Sequence, residues 1–372
     1  MVHGTSTVQL VAILVVDLMA KSRKALFVEI SDYSVLVART SGIEPPFTIE
    51  ELKEIPAGSV DDLATLVSEM MTLQTGQYAH TVVSVYPGGR FIRRAQMENP
   101  AKAKDPAFLA EFVRSQFQVD TAKSVVAVLN AESGQFASAE TGFSKELIFC
   151  GAPLDEIKER QLYAVNAGMY PHRLELGSVA TVAGLGSYQV ADEIKSPTLL
   201  LEITPENSQV FIVHGTQLDL ARPIPFGLNS MFPIVQQELG LKDEESAKKL
   251  FYSNTFDFTE MGPALLKKVL KELQSSTGFY EVQTGQTIGQ IHLSLLPKNL
   301  AWMGSLLART LGIDTLKPEY ANWLHSHGIE PAQGVELAAL DGRWLGLFGM
   351  MIKYETKTET KAEGKEAANA RA

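Results

Sequence analysis

Two stretches of the chain place an acid where a buried strand should end. Glu29 closes the apolar run ALFVE and Glu202 closes TLLLE, and each is followed by Ile and then a hydroxyl residue, Ser31 or Thr204. LFVEISDYSVLVAR near the start is echoed by LLLEITPENSQVFIVHG, at an offset of 173 residues between the two glutamates. Each copy reads as a strand ending in an acid, a short polar loop and a returning strand. A carboxylate in such a place suits Mg²⁺ coordination or general-base work. Its duplication suggests two related lobes around a cleft.

Other reactive residue types are sparse. Arg90, Arg93 and Arg94 follow a Pro-Gly-Gly turn and form the compact basic cluster of the chain body. By themselves they read as gatekeeping charges on a solvated edge strand. His325-Ser326-His327 falls in an expected loop without an acidic or Cys partner at ligand spacing, which disfavours a metal site. The single cysteine, Cys150, ends the apolar strand ELIFC and reads as a small buried hydrophobe. Gly184-Leu185-Gly186 follows a helix, not a strand, so a helix C-cap is expected there instead of a dinucleotide turn. No phosphate-loop, zinc-protease or nucleophile-elbow motif is present.

The elements that must position these residues alternate between strand and helix, which argues for α/β layers. Hydrophobic residues make up 45% of the 372 and charged residues 20%, as in a globular protein. With 33 basic and 43 acidic residues the net charge is −10, which disfavours nucleic acid as a partner. One cysteine excludes an internal disulfide and favours the cytosol. The run Val8 to Val16 is about half the length needed to cross a bilayer. Within the expected N-terminal extension, residues 1–24, Met19 is the expected start of translation and residues 1–18 an upstream extension, with a membrane-associating segment as the alternative; residues 354–372 read as a solvated, disordered tail.

The order of the remaining segments resembles the PilM group of the actin-like (actin, Hsp70, FtsA) superfamily. YPGGRFIRRAQMENPAKAKDPAFLAEFVRSQFQVDTAKSVVAVLN (86–130) is similar to the small inserted subdomain of those proteins. IFCGAPLDEIKERQLYAVNAGMYPHRLELGSVATVAGL (148–185) is similar to the elements closing their first lobe, and LARPIPFGLNSMFPIVQQELGLKDEESAKKL (220–250) to the second lobe's strand, turn and helices. QIHLSLLPKNLAWMGSLLARTLGI (290–313) resembles the region of the adenosine loop.

The resemblance implies a duplicated actin-like (ribonuclease H-like) α/β fold, two lobes around a central cleft. The implied boundaries are a first lobe at 25–198 with an insertion at about 86–150, a second at 199–334, and a C-terminal helix at 335–353 returning to the first. Active relatives carry an Asp-Gly pair at each phosphate loop, where Gly lets backbone N–H groups reach the phosphates. Here the first loop is Glu29-Ile30-Ser31-Asp32-Tyr33 and the second Glu202-Ile203-Thr204-Pro205-Glu206-Asn207, without either glycine. Leu295 and Leu296 replace the adenosine-loop glycines. The expectation is therefore a pseudo-ATPase whose vestigial cleft contains Glu29, Ser31, Asp32, Glu202, Thr204, Leu295 and Leu296, with no catalytic residue, cofactor or metal.

The function so implied is a non-enzymatic scaffold of a type IV pilus or type II secretion platform, cytoplasmic and peripheral at the inner membrane. Its implied partner is the cytoplasmic tail of a PilN-like membrane protein, with homo-oligomers left open. Arg90, Arg93 and Arg94 then become candidates for a partner or anionic-lipid contact. The alternative is an active actin-like ATPase, or a sugar-kinase-like phosphotransferase, using ATP with Mg²⁺.

Overall fold

The computed structural model describes residues 24–353 apart from 75, 133 and 254; residues 1–23 of the expected N-terminal extension and the polar tail lie outside the described residues. The chain begins with β1 (Ala25–Ile30), β2 (Ser34–Thr40), β3 (Phe47–Pro56), α1 (Val60–Met71) and β4 (Ala79–Val85). An insertion follows: β5 (Phe91–Gln96), α2 (Pro106–Phe117), β6 (Ser124–Asn130) and β7 (Glu146–Pro153). Next come α3 (Leu154–Asn166), β8 (Met169–Leu176) and α4 (Gly177–Ala191).

The second half runs β9 (Thr198–Ile203), β10 (Ser208–His214), β11 (Gln217–Ile224), α5 (Phe232–Leu239), α6 (Glu244–Tyr252), α7 (Gly262–Thr284) and β12 (Gln290–Ser294). It continues through α8 (Trp302–Leu311), β13 (Asp314–Thr315), α9 (Tyr320–Ser326), β14 (Ile329–Pro331) and α10 (Leu345–Gly349).

The duplication expected from the repeat is present in the sheets. One has the order β14-β3-β2-β1-β4-β8 and the other β11-β10-β9-β12-β13. In both, an antiparallel three-strand meander gains a parallel neighbour beside its first strand, β4 beside β1 and β12 beside β9. β1 and β9 are central and buried along their whole length, which explains their near-continuous apolar sequence. β5, β7 and β6 form a separate sheet with its own small core, including Phe91, Val113, Leu147 and Phe149.

Alternation along β1 and β9 decides where the glutamates point. Leu26, Val28 and Ile30 enter a core with Leu63, Val67 and Met70 of α1, while Phe27 faces the other way. Leu199, Leu201 and Ile203 enter the second lobe's core, while Leu200 turns to the cluster containing Phe27, Leu185, Tyr188 and Phe348. Glu29 follows the phase of Phe27 and Glu202 that of Leu200. The period of two therefore directs both acids toward the core shared by the lobes.

Two expectations need correction. The helix expected at 178–185 runs on to Ala191, and Gly184-Leu185-Gly186 lies inside it. These glycines permit close approach: a Cβ on Gly184 would lie 3.0 Å from Gly349 Cα, and one on Gly186 2.7 Å from Gly215 O. The return to the first lobe also begins before residue 335. Leu316, Tyr320 and Trp323 already join the core of Phe27, and β14 pairs with β3. The sequence concealed this because the returning elements are short and apolar on their buried sides only.

Candidate functional site

The two loops after β1 and β9 are the same device built twice. The N–H of Ser31 donates to Ser34 O at 3.0 Å, and the Ser31 hydroxyl donates to that same oxygen at 2.8 Å. The Ser31 hydroxyl also accepts from the N–H groups of Tyr33 and Ser34, at 3.3 and 3.1 Å. In the second loop Thr204 N–H and Oγ1 each donate to Asn207 O at 2.9 Å, and Thr204 Oγ1 accepts from Asn207 N–H at 3.2 Å. Such hydroxyl-capped turns use their own backbone donors.

Each loop is also covered. Tyr33 rests against Tyr252 of α6, with ring centroids 6.1 Å apart, so the first lobe's loop leans on the second lobe. Gly227, in the Pro-Phe-Gly turn, packs so tightly on the second loop that a Cβ there would lie 2.4 Å from Pro205 O. Leu228 and Asn229 donate their N–H groups to Thr204 O and Pro205 O at 3.0 and 2.9 Å. Asp32 is exposed and takes no part in the buried network.

The glutamates have different surroundings. Glu202 is fully buried, and its Oε2 accepts from Arg90 Nη2 at 3.1 Å and from the Ser178 hydroxyl, in the first turn of α4, at 2.6 Å. Arg90 Nε donates to Ser178 Oγ at 2.8 Å, and its guanidinium lies 5.3 Å from the Tyr86 ring centre. Gln209 Nε2 of β10 donates to Arg90 O at 3.2 Å. The buried cation is thereby fixed from both lobes.

Glu29 has no such cation beside it. Burial, aided by the charge of Glu202, pushes its carboxyl up to about 8, against smaller opposing effects of Tyr86 and Arg343. Its Oε2 is buried without a hydrogen-bond partner among the described residues, as are Glu202 Oε1, Ser84 Oγ and Ser294 Oγ. α10 closes this side: a Cβ on Gly346 would lie 2.4 Å from Glu29 Oε2 and 2.7 Å from Thr181 Oγ1.

The third loop follows β12. Leu295 adopts φ 59°, a left-handed conformation that ordinarily favours Gly. Leu295 and Leu296 are both buried, and Leu296 belongs to the second lobe's core. On the strand before them, burial lowers His292 to about 4, so its ring is neutral near pH 7.

The arginine cluster departs from its expected place. β5 is an edge strand of its own sheet, but it packs against β11 of the second lobe, so it is not solvated. Arg90 is 5% exposed and cannot reach a partner's surface. Arg94 donates to Asp219 Oδ1 at 3.2 Å and to Leu218 O at 2.9 Å, and also pairs with Glu146. Arg93 is half-buried and donates to Ile92 O at 2.8 Å. Two of the three arginines thus tie the insertion to the second lobe.

Elsewhere, the expected His325–His327 loop is largely the end of α9, and the histidines have partners: His325 pairs with Glu330, and His327 Nε2 lies 2.9 Å from Ser187 Oγ. The described residues contain no cluster of three or more metal-ligating side chains. Burial pushes the Cys150 thiol up to about 12, which keeps it protonated and unreactive. No helix among the described residues is long and apolar enough to cross a membrane.

Ser178, Tyr86 and Thr181 were missed by reading the sequence. Ser84 beside Glu29 and Ser294 beside Glu202 occupy matching parallel registers, another missed correspondence.

No family model and no curated protein matches the sequence. Among solved structures, a chain of the PilM-PilN type IV pilus biogenesis complex aligns with a TM-score of 0.63 at 16% identity, covering 89% of this chain and 98% of that one. EutJ, an ethanolamine utilization protein from Carboxydothermus hydrogenoformans, aligns at a TM-score of 0.41 and 9% identity, covering 89% of this chain and 90% of that one. The cytoplasmic domain of EpsL, an inner membrane component of the Vibrio cholerae type II secretion system, gives 0.39 and 9%, with 77% and 95% covered. The chain has the PilM-like, actin-like fold.

Proposed function

We propose that this protein is a non-enzymatic scaffold of a type IV pilus or type II secretion platform, peripheral at the cytoplasmic face of the inner membrane. On this reading it holds the cytoplasmic tail of a PilN-like membrane partner. The likeness to a chain of the PilM-PilN complex, over almost the full length of both, supports the architectural part. An extended tail bound by strand addition gains main-chain hydrogen bonds without a nucleotide. Arg93, half-buried and without a carboxylate partner among the described residues, remains a candidate for that contact.

The observation carrying the non-enzymatic reading is the Arg90–Glu202–Ser178 network. A nucleotide's Mg²⁺ would need the carboxylate that Arg90 holds. Its phosphates would need loop N–H groups that bond within the loops or to neighbouring backbone. Each charge-assisted bond forgone removes roughly 1.5–3 kcal/mol from a phosphate site. Leu295 and Leu296 are buried in the loop that the resemblance assigns to the adenosine, which supports this reading. ATP with Mg²⁺ therefore does not fit the residues present, and no catalytic step is assigned to Glu29 or Glu202.

The scaffold reading is tested by titrating a labelled tail peptide from the membrane protein encoded beside this gene. Saturable binding that weakens on Arg93→Glu is expected. Absence of binding to that tail and to the intact partner would overturn the partner assignment.

A further inference from the structure

A separate surface lies on the second lobe. Beside α5 and α7, Phe226, Ile234, Pro263, Ala264 and Leu270 help line an open groove of about 720 Å³. Lys267, Lys268 and Lys271 form its cationic rim, and all three are exposed. Lys268 Nζ donates to Pro225 O at 3.0 Å, and none of the three pairs with a carboxylate among the described residues. The acids of α7 are engaged elsewhere: Glu272 holds Arg222 at 2.9 Å, and Glu281 accepts from Ile288 N–H at 3.2 Å.

Lys267 and Lys271 stand one turn apart on the same helix, where like charges repel and weaken it slightly. They do so within a chain whose net charge is −10. A basic rim around an apolar floor matches a ligand carrying carboxylates beside apolar side chains. We propose that this groove docks an acidic amphipathic helix of a protein partner. Its apolar side chains at helical spacing would enter the groove, and carboxylates one turn apart would meet Lys267 and Lys271. A bilayer is the poorer fit because a flat surface meets the lysines without filling a concave floor. This inference does not depend on where the membrane partner's tail binds.

The test uses the full chain and a fluorescein-labelled peptide made of two repeats of ELLEELL, read by anisotropy. Saturable binding is expected, with about a tenfold loss in Lys267→Glu/Lys271→Glu, the equivalent of about 1.4 kcal/mol. The same charge change on α6, Lys248→Glu/Lys249→Glu, should alter affinity less than about twofold. All four positions are exposed, and unchanged circular dichroism and thermal midpoints establish that the variants fold. Equal losses in both variants, or no saturable binding, would overturn the proposal. So would phosphatidylglycerol vesicles that bind through Lys267 and Lys271 when the peptide does not.

Discussion

Replacing Arg90 with Met keeps most of the side-chain length and removes the guanidinium from the core between the lobes. Arg90 and Glu202 have side-chain exposures of only 2% and 0%, so water cannot take over the lost role. Glu202 would keep the Ser178 hydrogen bond but lose its cation. Breaking a buried pair by removing one partner costs roughly 3–5 kcal/mol. At about 2–4 °C per kcal/mol for lobes of this size, the thermal midpoint should fall by ~6–20 °C. Thermal unfolding at pH 7, followed by far-UV circular dichroism, reads this directly. Arg90→Met/Glu202→Leu should recover most of the loss, because apolar replacement of a buried pair is often neutral or stabilising. A single variant within about 1 °C of the parent, or a double variant no better than Arg90→Met, would refute the interlobe tie.

The carboxyl of Glu29 rises from 4.5 to about 8 on folding, so the folded chain holds a proton that the unfolded chain releases across that interval. Stability should fall as pH rises through the window, and urea unfolding of Glu29→Gln should show a growing advantage over the parent, reaching several kcal/mol by pH 8. His292 acts in the opposite sense: its fall from 6.5 to about 4 means stability is lost as pH drops through that range, so His292→Gln should flatten the acid limb of the same titration. In Gly349→Ala the new Cβ would meet Ala180 O at 2.4 Å, and calorimetry should register a loss of about 1–3 kcal/mol as α10 is forced from α4.

The glutamates were legible because an acid inside an otherwise apolar strand is anomalous, and because it occurs twice at one offset. Ser31 and Thr204 keep that offset and carry the same turn chemistry. Ser84 and Ser294 do not, because α5, α6 and α7 separate β11 from β12, whereas only α1 separates β3 from β4. A constant spacing could not pair them. The arginines were misread for a different reason. Their local sequence does describe an edge strand, but the covering surface, β11, comes more than a hundred residues later. The interior glycines of α4 likewise depend on Gly349 and Gly215, which no local pattern connects to them.

Isothermal titration with Mg-ATP at pH 7, paired with a thermal shift at millimolar nucleotide, tests most directly the proposal that the region between the lobes takes no nucleotide. With Arg90 on Glu202 and the N–H groups of Ser31, Tyr33, Ser34, Thr204 and Asn207 already bonded, no saturable heat and no change in midpoint are expected. A micromolar Kd would contradict this, because a ligand at about a thousand times its Kd stabilises the fold by about 4 kcal/mol and would raise the midpoint by several degrees.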